Sequence, residues 1–174
     1  MADLIEIRRY RESDAKAVQD LFKAVNRLLA PPELKDSFES YIASSIAEEI
    51  GRVGDYYRDH DGFFWVATSA NRLVGMFGLE AAGAGEMELR RMYVDPGIRR
   101  KGIAGRMLQH AEDHCRSNGI AALHLSTSEL QPAALSLYRA AGYQLLTEEA
   151  SDTVTNKTIG GGVRRYYFCK ALRA

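Results

Sequence analysis

With 174 residues, 46% of them hydrophobic and 26% charged, the chain suits a single domain spanning residues 1–174 that buries about 70% of its unfolded surface, so no second core is needed. The amino terminus MADLIEIRRY has no apolar h-region or cleavage site and no run approaches the ~20 apolar residues of a membrane span, so the chain reads as cytoplasmic and off the membrane. Cys115 and Cys169 fit no metal or CxxC spacing and read as free thiols of a reducing compartment.

Leu4 to Arg8 alternates as a short strand, and Ser13 is placed to cap a helix whose Val18, Leu21, Phe22 and Val25 share one face. Pro31-Pro32 ends that unit, and Asp36 with Glu39 resembles a capping box opening a second helix that carries Phe38, Ile42, Ile46, Ile50 and Val53. Gly54 to Gly62 reads as a polar connection. Phe63 to Thr68 and Leu73 to Glu80 form a hairpin across Ser69-Ala70-Asn71-Arg72, and the AAGAG loop leads into a third strand, Glu86 to Val94. In that strand Met87 and Leu89 are apolar on odd numbers but Met92 and Val94 on even ones, which predicts a β-bulge near Arg90 or Arg91. Ile103, Met107, Leu108, Ala111 and Cys115 then stripe a helix that closes at Asn118-Gly119. Ala121 to Ser126 is a buried strand, Pro132 to Ala141 a short helix, Gln144 to Thr147 a strand, and Arg164 to Lys170 the last strand, after a polar loop to Gly162. This order implies a mixed α/β sheet with one parallel crossover.

Between the third strand and the following helix, Leu89 to Leu108 (LRRMYVDPGIRRKGIAGRML) joins a Pro-Gly turn, a basic loop and a helix start. Gly102 and Gly105 let the backbone approach an anion, the helix beginning near Ile103 offers unpaired N–H groups, and Arg99, Arg100 and Lys101 add charge. GxxxxGK[ST] is absent, and the glycines at 97, 102 and 105 do not fit GxGxxG. The net charge of zero hides a polarity. Leu89 to Arg106 holds six Arg or Lys against Asp95, a local +5, whereas Glu33 to Asp61 holds eight acids against Lys35, Arg52 and Arg58, a local −5.

Arg99-Arg100-Lys101-Gly102-Ile103-Ala104 resembles the [QR]-x-x-G-x-[GA] loop of the GNAT superfamily, the acyl-coenzyme A dependent N-acyltransferases. Gly119 to Tyr143 (GIAALHLSTSELQPAALSLYRAAGY) resembles the family's next strand and its A-x-x-L-Y-x-x-x-G-[FY] helix, with wording closest to the camello-like branch but without the apolar membrane segment many of those proteins carry. The resemblance spans roughly residues 62 to 147. It implies a GNAT fold, a single domain with a mixed, mostly antiparallel central sheet flanked by helices. It also implies acetyl-CoA as cosubstrate, an amine acceptor that is a small molecule or a protein amine, and no metal.

Carried onto this chain, the resemblance implies cofactor contacts at Met92, Tyr93, Val94, Arg99, Arg100, Lys101, Gly102, Ile103, Ala104, Gly105, Gln131 and Tyr138. Its bulge would free an N–H for the acyl carbonyl and splay the neighbouring parallel strand. Tyr138 matches the general acid for the leaving thiolate, although Ala134, Leu137, Tyr138 and Ala141 also form a packing stripe. Glu88, 11 positions before Arg99, matches the base, with Glu80 or water as competitors. Where many relatives have Asn in N-x-x-A-x-x-x-Y, this chain has Gln131, which bears on the hydrogen bond usually made there to the cofactor.

The acidic stretch with Glu48, Glu49, Asp55 and Asp59 is expected to admit a cationic or amine-bearing acceptor. His110 and His114 stand four apart on a helix and read as its polar outer face, while His60 and His124 have no evident partner; Arg164-Arg165, next to Gly160-Gly161-Gly162, reads equally as a contact to an acceptor or a phosphate and as a flexible loop entering an edge strand. Two rival readings stand beside N-acetyl transfer. One is a catalytically silent acyl-CoA sensor; the other is a nucleic-acid-binding module, against which the neutral net charge and the lack of aromatics in the basic run argue. The sequence leaves a homodimer open.

Overall fold

The computed structural model describes residues 4–98 and 102–172. They form a seven-stranded sheet of order β1-β2-β3-β4-β5-β7-β6, with β1 Ile5–Arg9, β2 Phe63–Ser69, β3 Arg72–Ala81, β4 Glu86–Val94, β5 Ala122–Ser128, β6 Gln144–Ser151 and β7 Val163–Ala171. Every pairing is antiparallel except β4 with β5, which the crossover helix α4 (Ile103–Ser117) joins in parallel. β7 lies between β5 and β6, so Arg164 and Arg165 enter an interior strand and not an edge.

Two apolar layers hold the sheet. On one face α4 and α5 (Pro132–Ala140) bury Ile103, Met107, Leu108 and Tyr138 against Leu89, Leu123, Leu125 and Phe168. On that face Trp65 stacks on Phe77 at 5.2 Å, the Arg9 guanidinium lies 4.8 Å from its ring, and His110 and His114 of α4 meet its edge. The two imidazoles are therefore half-buried packing groups, which burial holds below the usual histidine range, and not a polar outer face.

On the other face α1 (Ala15–Leu29), α2 (Lys35–Glu48) and α3 (Val53–Asp59) cover β1 to β4 through Phe22, Phe38, Tyr57, Phe64 and Tyr93. Three details differ from the sequence reading. Ser13 does not cap α1; Asp14 ends a 3-10 turn there and its carboxylate takes the Arg11 N–H and the Arg8 guanidinium. No capping box opens α2, because Glu39 turns to Arg27 on α1. The stretch from Gly54 is the helix α3 and not a polar connection, since the Tyr56 and Tyr57 rings are buried and only their hydroxyls seek polar partners.

The bulge falls at Arg91. Met76 pairs with Tyr93 and Gly78 with Arg90, so Phe77 alone faces two residues of β4, and Arg91 takes φ 55°. Past the bulge, Met92 and Val94 return to the α4 face while Tyr93 packs against Phe22 under α1. The extra residue also turns two consecutive guanidiniums, Arg90 and Arg91, toward one carboxylate.

Candidate active site

β4 and β5 pair from Glu86↔Ala122 to Leu89↔Leu125 and then part, although β4 runs on to Val94 and β5 to Ser128. The wedge between them is the candidate site. Beyond Leu89 the β4 edge facing β5 is unpaired. The Asp95 N–H bonds the Val74 carbonyl across β3, so strand alternation turns the Val94 N–H the other way, into the wedge. At the head of α4, Gly102 sits at φ 70°, and a Cβ on Gly102 or Gly105 would meet nothing within 4 Å among the described residues. Gly105 lies inside the helix without a positive φ, so neither packing nor backbone geometry asks for glycine there. The open space fits an anion brought against the helix N-terminus. Arg99, Arg100 and Lys101 lie outside the described residues; in the first turn of α4 Ile103 is buried and Ala104 half-buried.

Tyr138 lines the wedge from α5. Its ring packs on Tyr143 and Phe168, it is 5% exposed, and its hydroxyl has no hydrogen-bond partner among the described residues. Burial raises the phenol above the ordinary tyrosine value, with Arg165 opposing, so it stays protonated through neutral pH. Gln131 stands at the start of α5 and accepts the Thr127 hydroxyl at 2.9 Å on its amide oxygen, leaving the amide nitrogen as the end that can donate. Arg165 reaches into the wedge from β7, fixed by Ser126 Oγ at 3.0 and 3.3 Å, and has no carboxylate partner among the described residues.

The carboxylates divide sharply. Glu49 is fully buried, taking Arg91 Nε at 3.0 Å, the Tyr57 hydroxyl at 2.7 Å and the Arg90 guanidinium. Gly78 makes this possible, because a Cβ there would strike the Tyr57 ring at 2.5 Å. Burial acts to raise the Glu49 carboxyl, but the facing Arg91 and Arg90 charges win and hold it at about 2. Glu49 is thus the counter-charge of the β4 arginines and no entry point for an acceptor, which removes it from the expectation drawn from the acidic stretch, while Glu48, Asp55 and Asp59 stay exposed. Two of the six cations in the basic run are neutralised in the same way.

Glu80 and Glu88 face each other across β3 and β4. Glu80 is 5% exposed and accepts the Tyr56 hydroxyl at 2.8 Å, whereas Glu88 is half-buried and lines the wedge. Arg90 lies 3.4 Å from Glu80 and 3.6 Å from Glu88. Lys157, from the segment between β6 and β7, lies 3.6 Å from each. Sequence reasoning missed Lys157 and gave Glu49 to the acceptor side and not to the β4 arginines; Arg165 lines the wedge, consistent with the reading that it could contact an acceptor or a phosphate. His60 and His124 do have partners: His60 stacks on Tyr56, and His124 meets Glu86 at 3.1 Å and Cys169 Sγ at 3.9 Å. Among the described residues no group of three or more His, Cys, Asp or Glu could hold a metal ion, and no helix is long and apolar enough to cross a membrane.

A mixed sheet splayed after its one parallel pair, bulged at the splay and followed by a glycine-headed helix, is the GNAT acyltransferase fold. Residues 22–143 match the Acetyltransferase (GNAT) family, and the chain belongs to that family. It is 31% identical over 123 residues to the mouse protein named probable N-acetyltransferase family 8 member 5, a match covering 68% of this chain and 52% of that one. The chain spans about half the length of the curated relatives it matches. Among solved structures it resembles a GNAT-family acetyltransferase from Staphylococcus aureus Mu50 (TM-score 0.75, 18% identity, 98% of this chain and 100% of that one). It also resembles the PaiA N-acetyltransferase of Thermoplasma acidophilum in complex with coenzyme A (TM-score 0.72, 22% identity, 97% and 99%).

Proposed function

We propose that the chain transfers an acetyl group from acetyl-CoA to a primary amine by direct attack. The observation that carries this reading is the wedge opened by the bulge, with the protonated, unpartnered Tyr138 hydroxyl at its wall. The coenzyme A complex of the Thermoplasma relative supports the same cosubstrate. Acetyl-CoA supplies an activated thioester; the chain positions it and moves protons. The N–H groups from Gly102 to Gly105 hold its diphosphate with charge from Arg99, Arg100 and Lys101, and the free β4 edge at Met92, Tyr93 and Val94 holds its amide arm. Gln131 donates its amide nitrogen to the cosubstrate.

Glu88, through water, takes the proton of the incoming ammonium; it is favoured over Glu80, which is buried and committed to Tyr56. The amine nitrogen attacks the thioester carbonyl and an N–H freed at the bulge stabilises the oxyanion; as the C–S bond breaks, Tyr138 protonates the departing thiolate, and the second proton on the new nitrogen passes through water to restore the tyrosine, leaving the neutral amide. For an ordinary phenol near pKa 10 and a thiolate near 8.5 this transfer runs uphill by ~2 kcal/mol, and the burial that raises Tyr138 adds to that cost, so a hydrogen bond to the departing sulfur has to offset both. Thiol release from acetyl-CoA against a panel of amines tests the reading: amine-dependent release with acetylated product supports it, and release with no amine in the panel overturns it only if acetyl-CoA also fails to bind.

A further inference from the structure

We infer that the Glu80–Glu88 pair is the subsite for the acceptor's ammonium, and that Lys157 holds it as an intramolecular competitor until an acceptor arrives. The inference rests on the acetyl-transfer reading and names how its acceptor is recognised. Like charges set opposite each other on antiparallel strands repel unless cations stand between them. Two cations do so here, and they differ in kind. Arg90 is a buried strand residue bound to Glu49 as well as to this pair, so it is fixed. The Lys157 side chain is 50% exposed and comes from a loop, so it can leave.

Charge balance makes the exchange specific. Within the ion-paired cluster Glu49, Glu80 and Glu88 face Arg90, Arg91 and Lys157, with Arg165 held apart on Ser126, so withdrawal of Lys157 leaves the cluster one negative charge that a primary ammonium restores and a neutral alcohol does not. The Tyr138 hydroxyl, without a partner among the described residues, lines the same wedge as Glu88 and Lys157, so an amine seated between the carboxylates stands in the space where the acid acts. The loop is held on both sides of Lys157: Arg91 donates to the Asn156 carbonyl, and Ile159 is buried under α2. Lys157 can therefore swing out while its neighbours keep the loop seated.

The test uses n-butylammonium titrated by calorimetry into the whole protein saturated with coenzyme A, so that no turnover occurs. Lys157→Met, which keeps the stem and removes the charge, should bind n-butylammonium about fivefold more tightly than wild type, the scale of a half-exposed ion pair. Adding Glu88→Gln to Lys157→Met should abolish that gain, and n-butanol should show no gain in either protein. Equal or weaker n-butylammonium affinity in Lys157→Met, or a gain that survives Glu88→Gln, overturns the inference. Failure of coenzyme A itself to bind would instead count against acetyl transfer, and the titration repeated without coenzyme A then decides the subsite alone.

Discussion

Two clusters of charge lie a few residues apart on β4 and behave as opposites. Around Glu49 every polar atom of the carboxylate is taken up by Arg90, Arg91 or Tyr57 with no exposed surface, so the partners have nowhere to go. Around Glu88 the carboxylate is half-buried and one of its cations is a half-exposed lysine on a loop. The same residue types give a fixed support in one place and an exchangeable site in the other, and the difference is solvent access. Burial makes loss of a partner costly, whereas exposure lets water or an ammonium replace it.

The sharpest way to break this comparison is Glu49→Gln, which leaves the buried Arg91 without a carboxylate and Arg90 with only its longer contacts to Glu80 and Glu88. We expect a loss of ~3–5 kcal/mol in urea unfolding; a loss no larger than that of Glu88→Gln would erase the distinction. The acid limb follows from the same group. Its folded pKa of about 2 lies below the unfolded carboxylate value of ~4.3, so its contribution is complete above pH ~4.5 and is lost as pH falls toward 2. Thermal unfolding between those limits should steepen in wild type and flatten in Glu49→Gln.

Tyr138 sharpens the contrast from inside the wedge, with its ring buried and its hydroxyl open to the wedge. Tyr138→Phe should keep the fold and acetyl-CoA affinity while kcat falls ~10²-fold, measured by thiol release where chemistry limits the rate. Because burial holds the phenol above its usual value, wild-type turnover should rise as the amine loses its proton and show no fall from Tyr138 up to about pH 9. Gly105→Ala gives the smallest effect and the most diagnostic sign. An alanine inside α4 should stabilise the fold by ~0.5–1 kcal/mol, yet weaken acetyl-CoA binding ~10-fold by filling the open space. It is a cleaner probe than Gly102→Val, whose positive φ adds backbone strain. A variant both more stable and equal in affinity would remove Gly105 from the cofactor site.

The stretch from β4 through α5 was legible because its signals are local. The slipped alternation at Arg90-Arg91, the Asn118-Gly119 stop and the Leu137-Tyr138 stripe each fit within a few residues and match the observed bulge, helix end and buried face. The buried cluster was not legible. Glu49 lies 41 and 42 positions from its arginines, so in sequence the partners appear as two separate runs of opposite charge, one suggesting an anion site and the other a cation site. α3 was hidden for a related reason: Tyr56 and Tyr57 look polar until Glu80 and Glu49 are folded against their hydroxyls. β6 extends to Ser151 because Glu148 and Glu149 find Arg164 and Tyr167 across the strand pair. Lys157 carries no pattern at all around it; its place follows only from a loop that folds back over β3 and β4.

Trp65 is the chain's one tryptophan, and its indole is clamped between Phe77 and the two imidazoles of α4. The molecule thus carries a single indole, excitable apart from its nine tyrosines, seated against the helix capped by Gly102 and carrying Gly105 in its first turn. A shift of α4 against the sheet alters the distance from indole to imidazole, and protonation of either ring quenches the emission. Events at the far end of that helix are in this way written into an optical signal that needs no label.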